Sequence, residues 1–418
     1  MNLTKNCKKN LMFFMKNNYM NHGKQTKQTE KIIHQLYNDI YIAYNYLLEL
    51  KSVKKENFYN FKIKKINNIN QIPKPRNFNL NSFPLEVQEH INKNSFYEIQ
   101  YTMNISGRNI VVCFITENEN PESNIKIFNK YIDSIVIWLL ILNEYSSKQC
   151  SRRLVLYLYF TSLNKELPSS NIHILDESHI NTAFTTTCPV DSEIVVYRKE
   201  EWFKVFIHET FHNFALDFSD MNNDECHKII LDIFKVNSEV NLYESYTEFW
   251  AEIMNALFCS FFVLKDKSNF GEFLKLSEFF INFEISYSFF QLVKILKFMG
   301  LRYTDLYSES KESIILRNNL YKEKTNVLSY YVIKLILINN YQSMLLWCVN
   351  NNLSLLQFKK TRQNLINFCN FIKIKYKNNK FLEKIYSTEI FLKKQLTNKN
   401  KNIIFLLNNL RMTLCELG

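Results

Sequence analysis

Proline and glycine all but vanish after the middle of this chain. All six prolines lie at or before Pro189, and beyond it only Gly271, Gly300 and Gly418 interrupt the sequence. Turns between strands draw on residues that fix φ near −65° or tolerate positive φ, so a half-chain nearly free of both is predicted to be mostly helix. Strands are expected in the N-terminal half. Between 96 and 117, Tyr97, Ile99, Tyr101 and Met103 alternate with polar residues. Ser106-Gly107-Arg108-Asn109 follows, and Ile110, Val112 and Phe114 resume the alternation, which predicts a hairpin. A helix over 127–145, a buried strand over 154–160 and short extended segments at 181–187 and 193–197 complete this region. The first 75 residues read as a lysine- and asparagine-rich arm with one helix over 30–50 and a linker ending at Pro75.

The 418 residues, 46% apolar and 15% aromatic, can fill a substantial core. Apolar runs such as 135–142 fall far short of the roughly 20 residues a bilayer-spanning helix needs, so no membrane span is expected. The apolar cluster at 11–15 is too short for a secretory signal. Nine cysteines with no CxxC spacing read as reduced, buried thiols, which points to an intracellular location. The net charge of +12 comes largely from lysines near both ends. Such runs are read as solvated faces; they leave room for nucleic acid or another anionic partner, but no nucleic-acid module accompanies them.

The segment 205–216 has helical apolar periodicity and contains His208-Glu209-Thr210-Phe211-His212, an HExxH arrangement. Imidazoles at i and i+4 share one helix face and can reach a single Zn²⁺, with Glu209 beside the open coordination position as the base that takes a proton from water. A third ligand is needed. One solution requires glycine at position 215 and histidine at 218, where Ala215 and Phe218 stand. Another requires a Gly-Thr-rich stretch soon after His212, which 216–220 lacks. A glutamate from a second helix is left. That helix is predicted over 241–257, where Glu244, Glu248 and Glu252 form a stripe among Tyr243, Tyr246, Phe249 and Trp250. Carboxylates amid so much aromatic surface need partners.

The run Glu248-Phe249-Trp250-Ala251-Glu252 resembles the ligand helix of the lethal-factor-like branch of the gluzincin metallopeptidases. The resemblance implies Glu248 as third zinc ligand and Glu252 as the hydrogen-bond partner of a zinc histidine, with Glu244 as the ligand in the alternative register. It implies an α+β fold: a small twisted sheet packed on the HExxH helix, followed by a mostly α-helical part. The segments 208–218 and 243–255 also resemble uncharacterised metallopeptidase-like proteins of giant DNA viruses, which would place the chain in a host cell or virion. The expected organisation is an arm over 1–75, a catalytic domain over 76–265 and a helical domain over 266–418. A polypeptide substrate is implied, lying along an edge strand at 181–187. Tyr243, Tyr246 and His227 are open alternatives for stabilising the oxyanion. The rival reading is a non-catalytic structural or interaction protein, for instance of a virus particle, that keeps the same fold.

Overall fold

A computed structural model describes residues 1–17, 19, 23–53, 58–78, 83–117, 121–398 and 400–418. Its six strands are β1 (Asn60–Lys65), β2 (Tyr97–Ile105), β3 (Arg108–Thr116), β4 (Arg153–Phe160), β5 (Ala183–Thr185) and β6 (Asp191–Val196). They form one mixed sheet in the order β1-β2-β3-β4-β6-β5. The β2–β3 hairpin closes through Ser106 and Gly107, both at positive φ (50° and 81°), as a two-residue turn of matching twist requires. β3 and β4 run parallel, as do β4 and β6, whereas β5 pairs antiparallel with β6 and forms one edge of the sheet.

The helices that accompany the sheet are α1 (Lys5–Lys16), α2 (Lys27–Val53), α3 (Leu85–Asn94), α4 (Ile125–Tyr145), the single turn α5 (Glu177–Ile180) and α6 (Trp202–Asn213). α4 is the crossover that a parallel β3–β4 pair demands. Side chains alternate across the sheet: Tyr101, Phe114, Leu156 and Val196 enter the main core with α4 and α6, while Ile115, Tyr159 and Val195 pack on the opposite face against Phe83 and Val87. The rest of the chain is helical as its composition predicts: α7 (Asp224–Ile233), α8 (Leu242–Val263), α9 (Phe270–Met299), α10 (Lys311–Leu320), α11 (Lys334–Asn339), α12 (Tyr341–Asn351), α13 (Arg362–Lys375), α14 (Asn379–Gln395) and α15 (Lys401–Asn408). α9 is long and apolar enough to cross a membrane, and 89% of its most apolar stretch is buried inside the fold.

Two features depart from the sequence expectations, one near the N-terminus and one at a pair of cysteines. The N-terminal arm contains α1, and the expected linker contains β1, whose apolar Phe61 and Ile63 are spaced by lysines on an exposed edge. One hydrophobic core also runs from Cys7 to Leu417, through all three expected segments. The last residues return to the first, with Leu3 bridged to Leu417 and Gly418 hydrogen-bonded to Asn2. Finally, Cys150 and Cys188, expected as free thiols, form a disulfide. Each stands three residues before its strand, and the parallel register that sets Arg153 opposite Asp191 brings them together. The other seven cysteines are buried and free, as expected.

Candidate metal centre

α6 is apolar on nearly every side, so it sits in the interior. Val205, Phe206, Ile207 and Phe211 are buried, and the indole of Trp138 on α4 donates to Thr210 Oγ1 at 2.7 Å. Its polar residues His208, Glu209 and His212 are left to face a cleft of about 210 Å³ between α6, β5 and the start of α8.

α8 crosses α6 in the opposite direction, as the partners show: Glu248 faces Lys204 and His208, and Glu244 faces His208 and His212. His208 Nε2 lies 3.1 Å from Glu244 Oε2 and 3.1 Å from His212 Nε2, which is 3.5 Å from the same carboxylate oxygen. A four-coordinate ion bound at about 2.0–2.1 Å separates its ligand atoms by about 3.3–3.4 Å, and the triangle agrees with that spacing. His208, His212 and Glu244 thus form a group that could hold a metal ion.

The other imidazole nitrogens are fixed from behind. His208 Nδ1 donates to Glu248 Oε2 at 2.9 Å, and His212 Nδ1 donates to Asp217. Both histidines therefore present Nε2 to the cleft, the arrangement by which carboxylates orient metal-binding imidazoles. Glu248 also takes the ammonium of Lys204 at 2.5 Å, and Asp217 is held by Thr247 and by Ser219. The resemblance had implied Glu248 as ligand and Glu252 as the histidine's partner. In the structure Glu248 occupies the partner's place, Glu244 completes the triangle, and Glu252 lies one turn too far along α8. There its carboxylate pairs with Lys334 at 3.0 Å and accepts from Ser288 at 3.3 Å, touching neither histidine.

Charge follows this geometry. Burial alone would push both imidazoles down, but Glu244 and Glu248 around His208, and Asp217 and Glu244 around His212, outweigh it and raise both. Burial would likewise raise Glu244 and Glu248; the histidines, and Lys204 at Glu248, hold both well below the usual carboxylate range. Glu209 is different. It has no hydrogen-bond partner among the described residues, and burial raises its carboxyl despite the nearby histidines. A carboxylate lining the cleft with its oxygens unclaimed is free to accept a proton there.

Two further residues escaped the sequence reading. Asp217 follows the chain reversal at Ala215, whose φ is 55°. Tyr330 comes from the π-helical segment Leu328–Ile333 and donates to Glu244 Oε2 at 2.9 Å. Of the tyrosines open for the oxyanion role, Tyr246 is buried and donates to the carbonyl of Leu356, and Tyr243 sets its ring edge-on to His212 at 5.9 Å; neither lines the cleft, nor does His227. β5 lines it, as the sequence suggested for 181–187, and Asn213 at the end of α6 donates to Thr185 Oγ1 at 2.9 Å, locking helix to strand. Compared with known proteins, the chain matches no family model, no curated protein and no solved structure.

Proposed function

We propose that this chain is a metal-dependent peptidase, with zinc as its ion and Glu209 as its base. The observation that carries the proposal is the triangle of His208 Nε2, His212 Nε2 and Glu244 Oε2 with the unclaimed carboxylate of Glu209 beside it. Two imidazoles, one carboxylate and an open side suit zinc better than the harder or larger divalent cations.

A zinc ion held there supplies Lewis acidity to a water molecule and to a substrate carbonyl. The remaining work belongs to the chain. Glu209 takes the proton of the attacking water and delivers it to the leaving nitrogen, a task favoured by a carboxyl whose pKa burial has raised. Glu248 and Asp217 keep the histidines in the tautomer that leaves Nε2 free. The hydroxyl of Tyr330 lines the cleft and, by turning its one proton from Glu244 to the substrate, would meet the carbonyl oxygen as it gains charge. β5 offers a backbone edge that pairs with no strand among the described residues to an extended polypeptide.

The test is metal analysis of the purified chain beside a peptide-cleavage assay, for wild type and Glu209→Gln. The expected result is one bound zinc in both proteins and cleavage only by wild type, the variant falling by at least about 100-fold. A well-folded wild type that binds no metal, or a Glu209→Gln variant as active as wild type, would sink the proposal.

A further inference from the structure

The cleft is asymmetric along α6. At one end it meets a neighbouring cavity of about 630 Å³: Asn181 and Asn326 line both, and the larger one is walled by polar groups such as Asn237, Ser238, Asn241 and Thr325. On the α8 side this opening lies toward His212, because Asn326 is tied to Asn241, three residues before Glu244, by a 2.9 Å hydrogen bond; on the β5 side it reaches Asn181, next to Thr182, whose carbonyl accepts from Tyr197 N–H ahead of α6. The other end lies at the level of Lys204, one turn before His208, where Lys204, Lys165 and Met412 complete the lining. All three are at least 95% buried. Its 210 Å³ is less than the roughly 300–1,000 Å³ of sites that take larger ligands.

The Lys204 end holds an ammonium with capacity to spare. Lys204 is engaged by Glu248 at 2.5 Å. Lys165 is 1% exposed, and its Nζ has an ion-pair contact with Glu201 Oε2 at 3.1 Å but makes no hydrogen bond among the described residues. Glu201 is itself shared, since its other oxygen accepts from the backbone of Met412 and Thr413 at 2.7 Å each. The backbone of Lys165 is pinned on both sides, by Glu200 at its N–H and by Leu410 N–H at its carbonyl, which fixes where its side chain starts. Three donors against one partly committed carboxylate leave a buried cation with spare donors at the Lys204 end of the cleft.

We infer that Lys165 receives the free carboxylate that ends the substrate, so that the enzyme removes a single C-terminal residue. This rests on the peptidase reading above. One to two turns of α6 separate the levels of Lys165 and His208, about 5–10 Å. From a carbonyl carbon at the metal group, one residue carries the chain about 4 Å to the next carboxyl carbon, and a hydrogen bond to an ammonium adds about 3 Å. One residue fits between the two positions. The preceding residues of the substrate would run past His212 toward Asn326 and the larger polar cavity. In the reaction the last C–N bond breaks, a C–O bond to the water oxygen forms, and Glu209 carries the water's proton to the released amino group. The chemistry recognised is an amide one residue from a free carboxylate, which a peptide C-terminus and a free N-acyl amino acid share.

The test uses the full zinc-loaded chain on four substrates: a short N-acylated peptide with a free C-terminus, its C-terminal amide, a longer peptide blocked at both ends, and an N-acetyl amino acid. Expected is release of one residue from the free acid, with kcat/KM for the amide lower by about 10- to 100-fold, the loss of one charge-assisted contact. Turnover of the N-acetyl amino acid as well would mark the small molecule as a source, and its absence would mark the peptide; both fit the inference. Lys165→Met should erase the acid-over-amide preference through KM, and Lys165→Arg should keep part of it. A readout independent of turnover is binding of an uncleavable reduced-amide analogue to the metal-free chain, tighter as acid than as amide. If Lys165→Met does not fold, the acid-to-amide ratios of wild type decide. Cleavage of the doubly blocked peptide as fast as the free acid overturns the inference and leaves the peptidase reading standing. No cleavage of any substrate by metal-loaded protein overturns both.

Discussion

Glu244 and Glu248 stand one helical turn apart on α8 and differ in what faces them. Glu248 meets Lys204 and His208 Nδ1, whereas Glu244 meets the two Nε2 atoms. Glu244→Gln should therefore abolish stoichiometric metal binding, whereas Glu248→Gln should keep the metal with affinity weakened about 10- to 100-fold. Competition against a chelator of known affinity measures both, and the reverse pattern would return the ligand role to Glu248. Glu252 gives a prediction of another kind. Burial, only partly offset by Lys334, pushes its carboxyl from 4.5 to about 8, so the fold prefers the protonated form. Its contribution to stability is full below the unfolded value near 4.5 and is lost as pH rises through 8. Glu252→Gln should remove that slope. In chemical denaturation, the stability of wild type relative to the variant should fall by no more than about 5 kcal/mol between about pH 4 and about pH 9. The sequence revealed the stripe of three glutamates but not their roles, because spacing along one helix carries no information on its phase against another. Asp217 and Tyr330 were hidden for the same reason: a chain reversal and a segment more than a hundred residues further on bring them to the site.

Elements were legible where their pattern was local. The β2–β3 hairpin follows from alternation and a glycine turn, and α6 and α8 follow from apolar periodicity. β1 was missed because its lysines mask a four-residue alternation on an edge strand, where solvent covers one side. The Cys150–Cys188 pair depends on strand order, which no cysteine spacing records. How the elements lock together around the cleft falls largely to Asn213. Its side-chain amide donates to Thr185 Oγ1 at 2.9 Å, to the carbonyl of Thr186 at 3.2 Å and to Ser192, and its oxygen accepts from Ser151, all with the residue wholly buried. Asn213→Ala would strand the hydroxyls of Ser151 and Ser192 and the carbonyl of Thr186, and free β5 from the end of α6. A loss of about 2–4 kcal/mol in unfolding free energy is expected, with a rise in KM because β5 lines the cleft. Unchanged stability would mean that water replaces the amide and that the helix–strand lock is unimportant.

At the scale of the whole molecule, His208, His212 and Glu244 lie on two helices packed within the larger of two hydrophobic cores. α8 packs on α6, α9 and α11, and α9 carries α2 and α14. The segment 409–418, buried except near its end, forms only isolated bridges, and four of its backbone donors are met by glutamates: Glu201 takes Met412 and Thr413, while Glu284 takes Leu414 and Cys415. These glutamates sit at the entrance to α6 and within α9, so the end of the chain ties the sheet-bearing half to the helical half. Boundaries near 75 and 265 would lead one to expect separate unfolding steps. A shared core with this tie predicts one cooperative transition instead. Because an ion at His208, His212 and Glu244 binds the folded state alone, that transition should move as a unit with free metal, by about 2.7 kcal/mol at a hundredfold excess over Kd. Calorimetry of the full chain across a series of buffered zinc concentrations measures both properties. Two resolved transitions, with zinc shifting only one, would mean that the halves are energetically separate and that the 409–418 segment does not couple them.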